Sequence, residues 1–210
     1  LHLCHHNLET IETTPTTSDN AKHKLLLEVC YAAIHEGESL RSQHGEHKRT
    51  NNESQLCTVL ARSFADIGDI VRGRDLFRGN DKEKDQRKKL QQKLKTIFKQ
   101  IYDKLLKDNK TNGKKSVEEL QKRYKGDGGN FFKLREDWWE ANRQEIWKAI
   151  TCKAEGNTYF HATCSDGGDS TSPSMARDKC RCTKSSGGKA GNGDVNIVPT
   201  YFDYVPQYLR

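Results

Sequence analysis

The chain has 210 residues, a third of them hydrophobic and 31% charged, with a net charge of +7 at pH 7. That length allows one good-sized domain or two small, intimately packed ones, and the lean apolar content requires an economical core. Four prolines and few alternating β-branched runs argue against a sheet protein, and no apolar run is long enough to cross a bilayer.

Taken in order, Leu1–Asn20 reads as an irregular entry without an initiating Met or a signal peptide. Both this start and the abrupt end on Arg210 read as boundaries inside a longer protein. Ser18 or Asp19 caps a predicted helix through Glu36, with Leu25, Leu26, Val29, Cys30, Ala33 and Ile34 on its apolar side. EGESLRSQHGEHKRTNNES then loses periodicity, and much of it is expected as an exposed loop. Asn52-Glu53-Ser54 and Asn109-Lys110-Thr111 are formal glycosylation sequons, triplets that also arise by chance.

Leu56–Phe77 is the element the rest is organised around. Leu56, Val59, Leu60, Phe64, Ile67, Ile70 and Val71 recur at helical spacing and make a continuous apolar stripe over roughly four turns. Gly73 is the stop signal. Asp66 and Asp69 share this helix with Arg62, Arg72 and Arg74, so ion pairing is their expected use rather than paired-carboxylate chemistry.

The next predicted helix, Asp81–Asp108, keeps Leu90, Leu94, Ile97, Ile101 and Leu105 on one face. Wound at 100° per residue, Lys84, Lys88, Lys95 and Lys99 lie together on the opposite face. From Lys82 to Lys107 ten Lys/Arg stand against three acids, an excess equal to the net charge of the whole chain. KDNKTNGKKS is a polar turn, and Ser116 with Glu119 forms a capping box for a short helix, Val117–Tyr124. KGDGG breaks the chain again. Asn130–Cys152 is an aromatic helix holding all three tryptophans, read as core, with glycan stacking by an exposed Trp as the alternative.

Ala154–Asp194 is Gly-, Ser-, Asp- and Thr-rich and cannot bury enough surface to fold by packing alone. Cys152, Cys164, Cys180 and Cys182 are expected to pin it, each crosslink contributing on the order of 2–4 kcal/mol. Their connectivity has three possibilities, which the sequence leaves open. With Cys4, Cys30 and Cys57 the chain carries seven cysteines, so one lacks a partner within it. The disulfide reading places the domain in an oxidising compartment. Zinc is the rival, at HLCHH and CRC, but neither offers the paired spacing that closes a tetrahedral site.

No catalytic fingerprint is present, and no cofactor or metal is implied. KGDGGN lacks the preceding strand of a phosphate cradle. Binding is therefore the expected class. The Lys84, Lys88, Lys95, Lys99 face is either an ordinary solvated surface or a site for a sulfated or sialylated cell-surface glycan. Nucleic acid is disfavoured, because that face has no interleaved aromatic residues and disulfide-rich chains rarely meet DNA or RNA.

Three blocks in order, ARSFADIGDIVRGRDLF, DWWEANRQEIWKAITC and VPTYFDYVPQYLR, closely resemble the Duffy-binding-like domain. More narrowly they resemble its alpha class in the Plasmodium falciparum erythrocyte membrane protein family, a likeness running from Cys4 to Arg210. The resemblance implies a mainly α fold, a long-helix bundle with disulfide-braced irregular loops. It implies a partial first subdomain at 1–55, a helical-bundle second subdomain at 56–210, and the start of a third just beyond. By its nested cysteine pattern Cys4 would bond Cys30, and Cys57 would bond a cysteine upstream of Leu1. It also implies an adhesion domain exposed on infected red cells, not itself embedded in the membrane. Its partners would be host erythrocyte or endothelial receptors, sulfated glycosaminoglycans or blood-group glycans, and neighbouring domains of the same ectodomain. The three blocks carry the apolar pattern and read as scaffold. Receptor choice is expected in 81–107, 110–128 and 153–194.

Overall fold

The fold is described from a computed structural model over residues 21–47, 55–76, 79–112, 117–157, 159, 162–164, 174–176, 179–182 and 198–210. It is mainly helical: α1 Ala21–His47, α2 Leu56–Arg72, α3 Asp81–Asn112, α4 Val117–Tyr124 and α5 Phe132–Ile150. A small antiparallel ribbon of β1 (Ala162–Cys164) and β2 (Ser174–Met175) follows, pairing Ala162 with Met175 and Cys164 with Ser174. Single 3-10 turns at Phe202–Tyr204 and Gln207–Leu209 close the chain. No described helix is long and apolar enough to cross a membrane.

Two expected loops are helix. The helix expected to stop at Glu36 runs on to His47, and α3 passes Asp108 to reach Asn112. For α1 the reason is close packing through a glycine. A Cβ on Gly37 would overlap the carbonyl oxygen of Ile150, so only glycine lets the two backbones approach so closely. Leu40, one turn further, is buried. At the start of α3 an unforeseen capping box forms. Asn80 Oδ1 accepts from the Glu83 amide at 2.9 Å, and Glu83 Oε2 accepts from the Asn80 amide at 2.8 Å. The box expected at Ser116 lies outside the described residues, as do both sequons' side chains and most of 154–194. Gly73 ends α2 as expected, at φ +75°.

The chain divides into two compact units, whose boundaries fall inside α1, α2 and α5. Among the described residues one holds 30–68 and 143–210, the other 21–29 and 69–142. In the first, Phe64 meets the fully buried Trp147 edge-on at 5.1 Å. Trp147 Nε1 donates to the Cys180 carbonyl at 3.0 Å. Arg181 caps the C-terminus of α5, its Nε donating to Thr151 Oγ1 at 2.9 Å and Nη2 to the Lys148 carbonyl at 2.8 Å. Buried Ser63 donates to Glu36 Oε1 at 2.8 Å. Arg143 grips Asp203 with two bonds of 3.0 and 2.7 Å and donates to the Thr200 carbonyl at 2.9 Å.

The disulfides differ from the family-based pairing. Cys57 bonds Cys180, 123 residues away, and Cys164 bonds Cys182. Cys30 and Cys152 are thiols. Both inferred pairings, Cys4 with Cys30 and Cys57 with a cysteine upstream of Leu1, are therefore overturned. Of the four cysteines expected to pair among themselves and pin 154–194, Cys164 and Cys182 do so, whereas Cys180 ties the stretch to Cys57 and Cys152 is a thiol. The physical cause is the docking of 179–182 onto Trp147 and Thr151, which delivers the Cys180 sulfur to the buried Cys57 at the first turn of α2. Burial, with Glu145 nearby, pushes the Cys30 thiol up to about 11.

In the second unit Leu90, Leu94, Ile97, Phe98 and Ile101 of α3 are buried, with Phe98 edge-on to Trp138 at 6.1 Å. Trp138, Trp139 and Trp147 are all buried, in keeping with their reading as core. Arg72, 1% exposed, bonds Asp69 at 3.0 Å and Glu136 at 3.2 Å while lying over the Trp139 ring. Ion pairing is thus the use of Asp69, and in the first unit Asp66 pairs with Arg210 at 3.1 Å.

Candidate functional site

The basic face of α3 separates into two kinds of lysine. Lys84 is held by Asp81 at 2.9 Å and Lys99 by Asp103 at 3.2 Å, each an exposed pair within one turn of its own helix. Such exposed pairs contribute little to stability, but each sets a carboxylate beside its lysine and offsets part of its charge. Lys88 and Lys95 instead line a pocket of about 360 Å³ with Gly73, Asp75, Arg87, Gln91, Gln92, Asn130, Phe132 and Arg135. Of the four lysines expected to act together, the fold therefore brings two into one concave site.

Each wall of that pocket has a local cause. The i, i+7 spacing of Lys88 and Lys95 places both on one side of α3, with Gln91 and Gln92 between them. Gly73 in the left-handed region turns the chain away from α2 and leaves space: a Cβ there would lie 2.9 Å from Arg135 Nη1 and from the Phe132 ring. Asp75 pairs with Arg87 at 3.2 Å. At α5, Asp127 accepts from the Lys133 amide at 2.6 Å and the Leu134 amide at 3.0 Å. That carboxylate occupies the helix N-terminus, so the nearby KGDGGN stretch is a cap and offers no phosphate cradle.

Arg135 is the residue that pattern reasoning missed. It is 2% exposed, yet among the described residues no carboxylate bonds it. Its Nη1 donates to Gln91 Oε1 at 2.8 Å and reaches the Val71 carbonyl at 3.5 Å, while its buried Nε has no hydrogen-bond partner among the described residues. The Phe98 and Phe132 rings lie 5.3 and 5.9 Å from the guanidinium carbon. Burial pushes its pKa down to about 10, against an opposing pull from Asp127, so it remains charged at neutral pH. Arg87 was likewise absent from the sequence reading. Its place beside Lys88 at the border of the apolar stripe was the available signal. Arg135 gave none, because its partners lie on α2 and α3.

Elsewhere, Arg123 and the Tyr124 hydroxyl share Asp137 at 2.7 to 2.8 Å. Burial would raise the Asp137 carboxyl, but those bonds outweigh it and hold it below its ordinary range. Among the described residues no group of three or more His, Cys, Asp or Glu could hold a metal ion. The arrangement as a whole suits capture of an anion.

Search of the curated proteins finds no match. Among solved structures, the NTS-DBL1(alpha-1) domain of Plasmodium falciparum membrane protein 1 (PfEMP1) from the varO strain is 38% identical, with a TM-score of 0.66 over 99% of this chain and 40% of that one. The P. falciparum NTS-DBL1-alpha and CIDR-gamma double domain is 37% identical, with a TM-score of 0.68 over 99% and 25%. A PfEMP1 DBLb domain bound to human ICAM-1 is 28% identical, with a TM-score of 0.57 over 99% and 36%. The chain thus spans less than half the length of each of these solved chains. The Duffy binding domain family matches residues 1–210 from end to end, and the chain belongs to that family.

Proposed function

We propose that the chain is part of an extracellular adhesion domain of a variant surface antigen, displayed on infected red cells and binding receptors on host erythrocytes or endothelium. The family match over the full 210 residues carries this reading, and the ICAM-1 complex of a related domain supports receptor binding as the mode of action. On this reading residues 1–55 belong to a first subdomain and 56–210 to a second, with neighbouring domains of the same ectodomain as further partners. Two disulfides and a buried ion pair among the described residues brace the fold, and on this reading the charged surface supplies the choice of ligand.

For the ligand, the cationic pocket on α3 favours acidic host glycans, sulfated glycosaminoglycans before blood-group sugars, with rosetting or cytoadherence as the outcome. A neutral blood-group sugar could take hydrogen bonds from Lys88 and Lys95 but would gain none of their ionic attraction. Nucleic acid is disfavoured because the fold is braced by disulfides. The test is adhesion of the chain to host cells before and after heparan sulfate is stripped enzymatically. Binding should fall at least severalfold after stripping and persist after removal of sialic acid. Unchanged adhesion after stripping would move the site to a protein receptor.

A further inference from the structure

Cys57 stands at the first turn of α2, and its sulfur is bonded to that of Cys180 across 123 residues of sequence. Both cysteines are fully buried, so a dissolved reductant has no route to the bond while the fold holds. The bond closes a covalent loop over 58–179. That loop contains the whole of α3, α4 and α5, whereas α1 and 198–210 lie outside it. Tension applied to the two ends of a chain follows its covalent bonds. Here it runs along 1–57, crosses the sulfur–sulfur bond and leaves along 180–210, and no backbone bond within 58–179 lies on that path. The second link, Cys164–Cys182, joins the path just past Cys180 and leaves the route unchanged.

The C-terminal end of the path is fastened where such a load would arrive. Two arginine–carboxylate pairs of opposite sense hold 198–210 to helices of its own unit. In one, α5 supplies the cation: Arg143 bonds Asp203 at 3.0 and 2.7 Å and the Thr200 carbonyl at 2.9 Å. The Tyr201 and Tyr204 rings lie 5.3 and 5.5 Å from its guanidinium carbon. In the other, α2 supplies the anion: Asp66 accepts from Arg210 Nη1 at 3.1 Å, and the Arg210 side chain is 4% exposed. The forked grip on Asp203 adds direction as well as energy, and it resists being drawn out along the chain.

We infer that the Cys57–Cys180 link is a tension bypass and that 198–210 is its clasp. A pull through the ends of the domain is carried past α3, α4 and α5, so the charged surface keeps its shape under load. The inference rests on the adhesion reading above, because a domain that grips one cell while anchored to another is pulled upon.

The experiment stretches the oxidised chain between handles on its two termini in an optical trap. A donor and an acceptor dye sit at Lys84 and Lys107, both exposed on α3 and about 35 Å apart along a helix of 1.5 Å rise per residue. Freeing 198–210 should give a step of about 40 Å, and extension should stop near roughly 300 Å, the reach of 1–57 and 180–210 at about 3.4 Å per residue. Energy transfer between the dyes should hold up to that limit. Asp203→Asn, and the milder Asp66→Asn, should each lower the force of the 40 Å step and leave the limit where it is. In the Cys57→Ser, Cys180→Ser double variant the limit should rise to roughly 700 Å, with energy transfer lost on the way. Should that variant not fold, the unmodified chain pulled between Lys99 and the C-terminus loads α3 directly and must lose energy transfer. Energy transfer that falls before the limit in the terminal geometry overturns the inference. So does a 40 Å step whose force neither substitution changes. If the chain passes but adheres to no host cell, the bypass stands and the adhesion reading fails.

Discussion

At the scale of single residues, the largest energetic stakes lie with buried arginines. Arg143 and Asp203 form a pair in which Asp203 is 1% exposed, and every charged edge of the pair has a partner: two bonds between them and one to the Thr200 carbonyl. Breaking such a pair leaves an uncompensated charge, which costs far more than the pair itself contributes. Replacing Asp203 with Ala should lower the unfolding free energy by about 3–5 kcal/mol in chemical denaturation. A loss below about 1 kcal/mol would show that water or another carboxylate takes over Arg143. Neither Arg143 nor Arg135 was legible in the sequence as a special residue. Each sits on an aromatic helix among ordinary charged neighbours, and its partners lie on other elements. The tryptophans were legible, because three large rings at helical spacing have no economical place except a core.

At the scale of elements, the apolar period located α2, α3 and α5, and capping chemistry placed α4. Where the reading stopped short was composition: lost periodicity and the glycines and histidines of 36–47, Gly37 and Gly45 among them, made the end of α1 look like a loop. Gly37 carries the reason. In a free helix alanine is about 1 kcal/mol better than glycine, so Gly37→Ala should stabilise the chain if local propensity governed. Because a Cβ at this position would overlap the Ile150 carbonyl, the sign should invert, with a loss of roughly 1–3 kcal/mol from overpacking. The thermal midpoint of that variant measures it, and a raised midpoint would refute the close approach of α1 and α5 in this unit. The cap at Asn80 was missed for a different reason. The N-x-x-E box at 80–83 was present in the sequence but was overshadowed by the charge run that follows it.

At the scale of the whole molecule, a chain one-third hydrophobic stabilises its fold by dividing its labour. Helices α1, α2, α3 and α5 enclose the apolar residues. The 123-residue Cys57–Cys180 link and the shorter Cys164–Cys182 link tie down sequence that has little to bury. That cysteines would do this was legible from their number in an apolar-poor stretch. Which ones pair was not, since pairing follows from where Trp147 and Thr151 dock the 179–182 segment. The net charge of +7 was also legible as a property of α3, but the sequence spread the candidate site over four lysines where the fold gathers two of them around Arg135.

The most direct test of that account compares two double variants on a heparin column across a salt gradient. Lys88→Glu with Lys95→Glu and Lys84→Glu with Lys99→Glu each remove four charges, taking +7 to +3, so they are matched in overall field. The pocket predicts that the first pair elutes at far lower salt, with the second remaining close to the unmodified chain. Equal losses would show that only the general field of the helix matters, and a greater loss from Lys84 and Lys99 would contradict the account outright.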